Sequence, residues 1–211
     1  DGEPVIDLWG GWADAEQTRP WEKDTIVNVY STTKTMTALT ALWLADQGAL
    51  KFEEKVAHYW PEFAAAGKQD VTVAQLMSHA AGLSGFHDPM QPADLYDWDL
   101  VTSRLAAQAP FWEPGTAPGY HAVTQGYLVG EVVRRITGKS LGTVFAEQLA
   151  GPLGADCHIG LDEAHDGRVA DLVPPPQGAS ISDGPQSALA KNMATNPPIN
   201  PLDTRTRAWR A

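Results

Sequence analysis

Between residues 25 and 48 the chain changes its hydrophobic period, and the change falls on a serine. Residues 25–30 read as a short strand; from Thr32 onward Met36, Leu39, Leu42 and Trp43 recur at helical spacing, and Gly48 stands where a helix stops. Any fold that accommodates this stretch has to run a strand straight into a helix, with Ser31 at the junction as an N-cap or first-turn residue. Lys34 follows one turn later, and because helical side chains lean toward the N-terminus its amine can approach the serine hydroxyl. An unassisted serine is a poor nucleophile at neutral pH, so a catalytic one needs a neighbour that accepts its proton. A lysine acting as that base must be uncharged, a state that burial and the positive end of a helix dipole both favour. The same spacing also describes a capping serine followed by a solvated lysine, and the pair alone leaves both readings open.

The remainder of the chain is mostly helical in pattern. It opens with Val5, Ile6, Leu8 and Trp9 running into Gly10 and Gly11, a second strand-like stretch that ends in a turn. Helices are expected around 72–79, 94–108, 123–137 and 140–149, the last capped by Ser140 and ending near Gly151 and Pro152. Segments 82–92 and 110–119 are dense in Gly and Pro and read as loops. Beyond Gly160 regularity fades into a proline-rich tail that includes Pro174, Pro175, Pro176, Pro185, Pro197, Pro198 and Pro201.

Composition bounds the function classes. The 211 residues, 43% hydrophobic and 19% charged, suit one large or two small globular domains. With 26 acidic against 15 basic residues the formal charge is -11, and no basic stripe interrupts it, which argues against a nucleic-acid partner. No 18-residue apolar run predicts a membrane span, and the first residues lack a basic stretch followed by an apolar core, which favours a cytoplasmic location. The single cysteine, Cys157, excludes an internal disulfide and reads as a small buried residue. The six histidines show no close metal-ligand spacing, and His158 and His165 read as loop surface, so neither metal nor cofactor is expected.

Four blocks in fixed order then carry a resemblance: STTK entering a helix (31–34), LMSHAAGL (76–83), PGTAPGYHAVTQGYLVGEVV (114–133) and AGPLGADCHIGL (150–161). The chain resembles the serine beta-lactamase-related hydrolases, and most closely the family VIII carboxylesterases. The resemblance implies an α/β plus all-α architecture like that of class C beta-lactamases, an antiparallel sheet flanked by helices with a helical domain, incomplete in this chain. It divides the sequence into N-terminal strands and the nucleophile helix (1–48), a mainly helical domain (49–160) and an irregular segment leading toward the rest of the sheet (161–211). Ser31 matches the acylated nucleophile, Lys34 the lysine that accepts its proton, and Tyr120 the tyrosine of the second motif, YxN, which shuttles the proton to the leaving group. Ala122 stands where that motif has Asn, which removes an amide that holds a lactam side chain and tilts the expectation toward small-molecule esters.

Other motifs fail on inspection. GLSGF lacks the glycine of a nucleophile elbow, because Phe86 stands two places after Ser84. TGKS at 137–140 lacks the earlier glycine of a phosphate loop, which is Val133. His79 is tempting as a catalytic member, yet the resemblance gives it a structural role at a helix end. The family's third motif, KTG or its esterase counterparts HxG and WxG, is missing: Trp209 opens only WRA. The expectation is therefore a chain truncated at both ends relative to the family. Rival readings are beta-lactamase, D-aminopeptidase or acyltransferase chemistry on the same site, or a non-catalytic binding module of the same fold. Tyr96, Trp98, Phe111 and Trp112 are candidates for an apolar acyl pocket, or for core between helices.

Overall fold

The structure, a computed structural model, describes residues 2–174, 189, 192 and 196–211. Pro175, Pro176 and Pro185 of the proline-rich tail lie outside them. The chain divides into two compact units, one made of Ser31–Ile159 with Pro185–Ile199, the other of Asp1–Tyr30, Gly160–Gly184 and Asn200–Ala211.

The first unit is helical. Its elements are α1 (Thr33–Asp46), α2 (Val56–Tyr59), α3 (Val73–Met77), α4 (Trp98–Ala107), α5 (Thr124–Thr137) and α6 (Leu141–Phe145), which continues through a π turn, Ala146–Ala150, into Gly151–Leu153. The helix starts follow local chemistry: Thr72 and Gln75 form a reciprocal capping box at α3, Asp97 caps α4 and Ser140 caps α6. At the other end of α1, Gly48 takes the left-handed conformation (φ +71°) that lets the chain turn out of the helix.

α5 is the hub, packed by α1, α2, α3, α4 and α6. Leu128, Val129, Val132 and Val133 recur at helical spacing on it, and they are buried with Leu44, Trp60, Phe63, Leu76, Leu83 and Leu105 in one core. Among the described residues of this unit, Glu131 and Lys68 are charged groups that are fully enclosed. Glu131, on α5, accepts hydrogen bonds from Arg134 Nε (2.7 Å), Arg135 Nε (2.7 Å) and Trp98 Nε1 (2.8 Å). Burial pushes its carboxyl pKa up, but those three donors outweigh burial and hold it below the ordinary glutamate value. Lys68 donates to the carbonyls of Ala65 and Gln108, closing the C-terminal end of α4, and burial lowers its pKa to about 8. Trp98, bonded to Glu131 and stacked on Tyr127 at 5.3 Å, therefore belongs to the packing between α4 and α5.

The second unit is held by loop hydrogen bonds. Ile26 forms an isolated parallel bridge with Val169 and Trp12 an antiparallel one with Pro20, while Arg19 pairs with Asp14 and Asp171. The strand pattern at 5–9 and 25–30 is thus not realised as a ladder among the described residues. A strand needs a partner for its backbone groups, and none of the described residues supplies more than the single bridge at Ile26. Val5, Ile6 and Leu8 accordingly stand 94%, 75% and 87% exposed.

Candidate active site

Ser31 lies in the 3-10 turn Tyr30–Thr32 that leads into α1. The N-cap of α1 is Thr32, which makes no side-chain capping bond, so Ser31 is not the cap. Its hydroxyl instead accepts a hydrogen bond from Lys34 Nζ at 3.3 Å. The same nitrogen donates to the Ala122 carbonyl at 2.8 Å and lies 5.0 Å from the centre of the Tyr120 ring. The structure therefore brings together all three residues singled out by sequence, although Tyr120 is 86 positions away in the chain from Lys34. The Ser31 hydroxyl, and secondarily Lys34, hold the Tyr120 phenol below its ordinary pKa despite an opposing effect of burial.

Tyr120 is carried by the Gly- and Pro-rich loop before α5, and that loop is laced to the turn after α3. Gly115 N donates to Ala80 O (2.8 Å), Gly119 N to His79 O (2.9 Å) and Phe111 N to Gly82 O (2.7 Å). Thr124 Oγ1 donates to Leu83 O at 2.6 Å. Gly119 has to be glycine, because a Cβ there would fall inside the Trp112 indole, whose own Nε1 donates to Ala117 O at 2.8 Å. Trp112 thus supports the loop from within.

His121, next to Tyr120, has no exposed surface. Its Nε2 accepts from Leu83 N (3.1 Å), which leaves the proton on Nδ1 to be donated to Gly119 O (2.5 Å). Burial, against a smaller opposing effect of the Gly119 carbonyl, lowers its pKa to about 4, so the ring is neutral at physiological pH. Neither this imidazole nor the Ala122 carbonyl that holds Lys34 was marked by the sequence. The only signal for His121 was its position between Tyr120 and Ala122, and a carbonyl leaves none.

The other candidates lie elsewhere. His158 Nε2 is 2.8 Å from Asp156 Oδ1, and His165 Nδ1 is 3.2 Å from Arg168 Nη1. Cys157 is a free, half-buried thiol, less enclosed than its composition-based reading expected. Phe111 stacks on His87 at 4.0 Å. Among the described residues no group of three or more His, Cys, Asp or Glu side chains is arranged to hold a metal ion, and no helix is long and apolar enough to cross a membrane.

A serine hydroxyl, a lysine side-chain nitrogen and a tyrosine ring are thus clustered at a helix start on a helical scaffold. Comparison with known proteins gives the family: the Beta-lactamase family model matches residues 1–197, and the chain belongs to that family. It is 44% identical over 177 residues to the esterase/beta-lactamase LipL of Mycobacterium tuberculosis, covering 83% of this chain and 41% of LipL. It is 32% identical to the esterase EstB of Burkholderia gladioli, covering 74% of this chain and 44% of EstB. The crystal structure of a family VIII carboxylesterase superposes with a TM-score of 0.90 at 52% identity, covering 98% of this chain and 55% of that one. The chain thus has the beta-lactamase-like fold, and it spans less than half the length of these curated relatives.

Proposed function

We propose that this chain carries the nucleophile centre of a carboxylesterase-type serine hydrolase acting on small-molecule esters. The observation that carries the proposal is the Lys34 amine at 3.3 Å from the Ser31 hydroxyl, over which the Tyr120 ring is held. Ser31 Oγ attacks the ester carbonyl as its proton passes to Lys34, and an Oγ–C bond forms. The Ser31 backbone N–H, at the start of the helix, donates to the developing oxyanion. Collapse of the tetrahedral intermediate breaks the bond to the alkoxy group, which leaves as an alcohol with the proton relayed through Tyr120. Water then attacks the acyl-serine with the same groups working in reverse. The relatives named esterase support this reading, and so does Ala122, whose methyl group offers a lactam side chain no amide hydrogen bond.

In the full chain, p-nitrophenyl butyrate should be hydrolysed with saturation kinetics. Its kcat/KM should exceed that for nitrocefin by about tenfold or more, since one missing hydrogen bond is worth roughly that factor. Brisk nitrocefin turnover without ester hydrolysis would assign the site to lactams instead.

A further inference from the structure

His79 takes no part in the proton transfers above, yet the structure spends unusual means on it. It follows α3 in the left-handed conformation, φ +63°, where a helix exit is ordinarily served by glycine or asparagine and where a bulkier side chain is strained. Its two hydrogen-bonding edges straddle one residue. The His79 carbonyl accepts from the N–H before Tyr120, that of Gly119 (2.9 Å), and His79 Nδ1 accepts from the N–H after it, that of His121 (3.1 Å). Its imidazole packs against the Tyr120 ring at 4.9 Å between centroids, tilted by 59°, and the Gln125 amide nitrogen lies 3.4 Å from its Nε2. The buried His121 ring, 5.4 Å from that of His79, ties the same loop to Leu83.

We propose that His79 is the positioning residue that holds Tyr120 over Lys34. The inference rests on the proton-transfer role proposed for Tyr120. A helix-end residue with a purely structural task would need only the backbone turn, which glycine supplies without strain. What glycine cannot supply is the side-chain acceptor for the His121 N–H and the ring face against Tyr120. The register of this short segment, fixed on both sides of Tyr120, sets the place of that one proton-transfer group. A shift of an ångström in such a group can cost about a hundredfold in rate without weakening substrate binding.

The test uses p-nitrophenyl butyrate and four variants of the full chain. His79→Gly keeps the left-handed turn and removes the ring; it should lower kcat by roughly 10- to 100-fold with KM within about threefold of the parent. His79→Asn keeps both the tolerance for positive φ and an acceptor near the place of Nδ1, and should return kcat to within about fivefold. Added to Tyr120→Phe, His79→Gly should cost less than about twofold more, because two residues acting through one group are not additive. A full cost of His79→Gly in the Tyr120→Phe background, or an Asn variant no faster than the Gly variant, overturns the inference and leaves Tyr120 in its role. If His79→Gly does not fold, an Asn variant as slow as Tyr120→Phe overturns it equally. Tyr120→Phe turning over at the parent rate overturns the role of Tyr120, and the inference with it.

Discussion

Ser31→Ala in the full chain is expected to abolish ester hydrolysis, lowering kcat by about 10⁴-fold or more, and Lys34→Ala to come close to it. The alanine variant loses the only atom that forms the acyl bond. Lys34→Ala leaves the hydroxyl in place without the amine that lies 3.3 Å from it, and a serine without a base returns to its weak intrinsic nucleophilicity. The two residues act as a unit, so the double variant should be no slower than Ser31→Ala alone; additive losses would mean that Lys34 works apart from the hydroxyl. Tyr120→Phe should be milder, roughly a hundredfold, because a relay to the leaving group lowers one proton-transfer barrier and forms no bond of its own. Initial rates on p-nitrophenyl butyrate, with circular dichroism to verify folding, check all of these.

The second large effect concerns stability. Glu131→Ala should lower the unfolding free energy by about 1–3 kcal/mol, the usual consequence of leaving a buried donor unpaired, since the two arginines it pairs with are partly exposed and screened. Glu131 has no exposed surface, and its removal strands the Trp98 N–H and takes from Arg134 and Arg135, in the last turn of α5, the carboxylate they share, leaving them only the more exposed Asp99 and Glu62. The pH dependence follows from the direction of its shift. A carboxyl held below its ordinary pKa of about 4.5 in the fold contributes stability at pH values above that figure, and this contribution fades as pH falls through the folded pKa. Denaturant unfolding of the parent and of Glu131→Gln should therefore show a gap at pH 7 that narrows on acidification below about pH 4.5. A constant gap would place the value of Glu131 in its shape and not in its charge.

The sequence made the proposed reacting groups legible and left their support hidden, for a physical reason. Ser31 and Lys34 are bound by helical spacing, a local rule, and Tyr120 by its place in a block of family-like sequence. The helix starts near Thr72 and at Ser140 were legible, the latter as a cap residue, whereas the start of α4 at Asp97 was obscured by Asp94, which anchors the 3-10 turn before it. Laced loops are another matter. That His121 is enclosed, that the Ala122 carbonyl meets Lys34 and that His79 brackets Tyr120 all depend on which loop lies against the turn after α3, a pairing that spans some forty residues and leaves no periodic trace. The strand-like run at 5–9 failed for the complementary reason: an apolar run announces residues to be buried, but only a partner backbone makes a strand of it.

The most direct measurement of the account is covalent. Intact-mass spectrometry of the full chain after exposure to a fluorophosphonate, followed by peptide mapping, should show a single adduct, located on Ser31, absent from Ser31→Ala and formed far more slowly by Lys34→Ala. An adduct on any other residue, or none on a folded protein that hydrolyses esters, would contradict it.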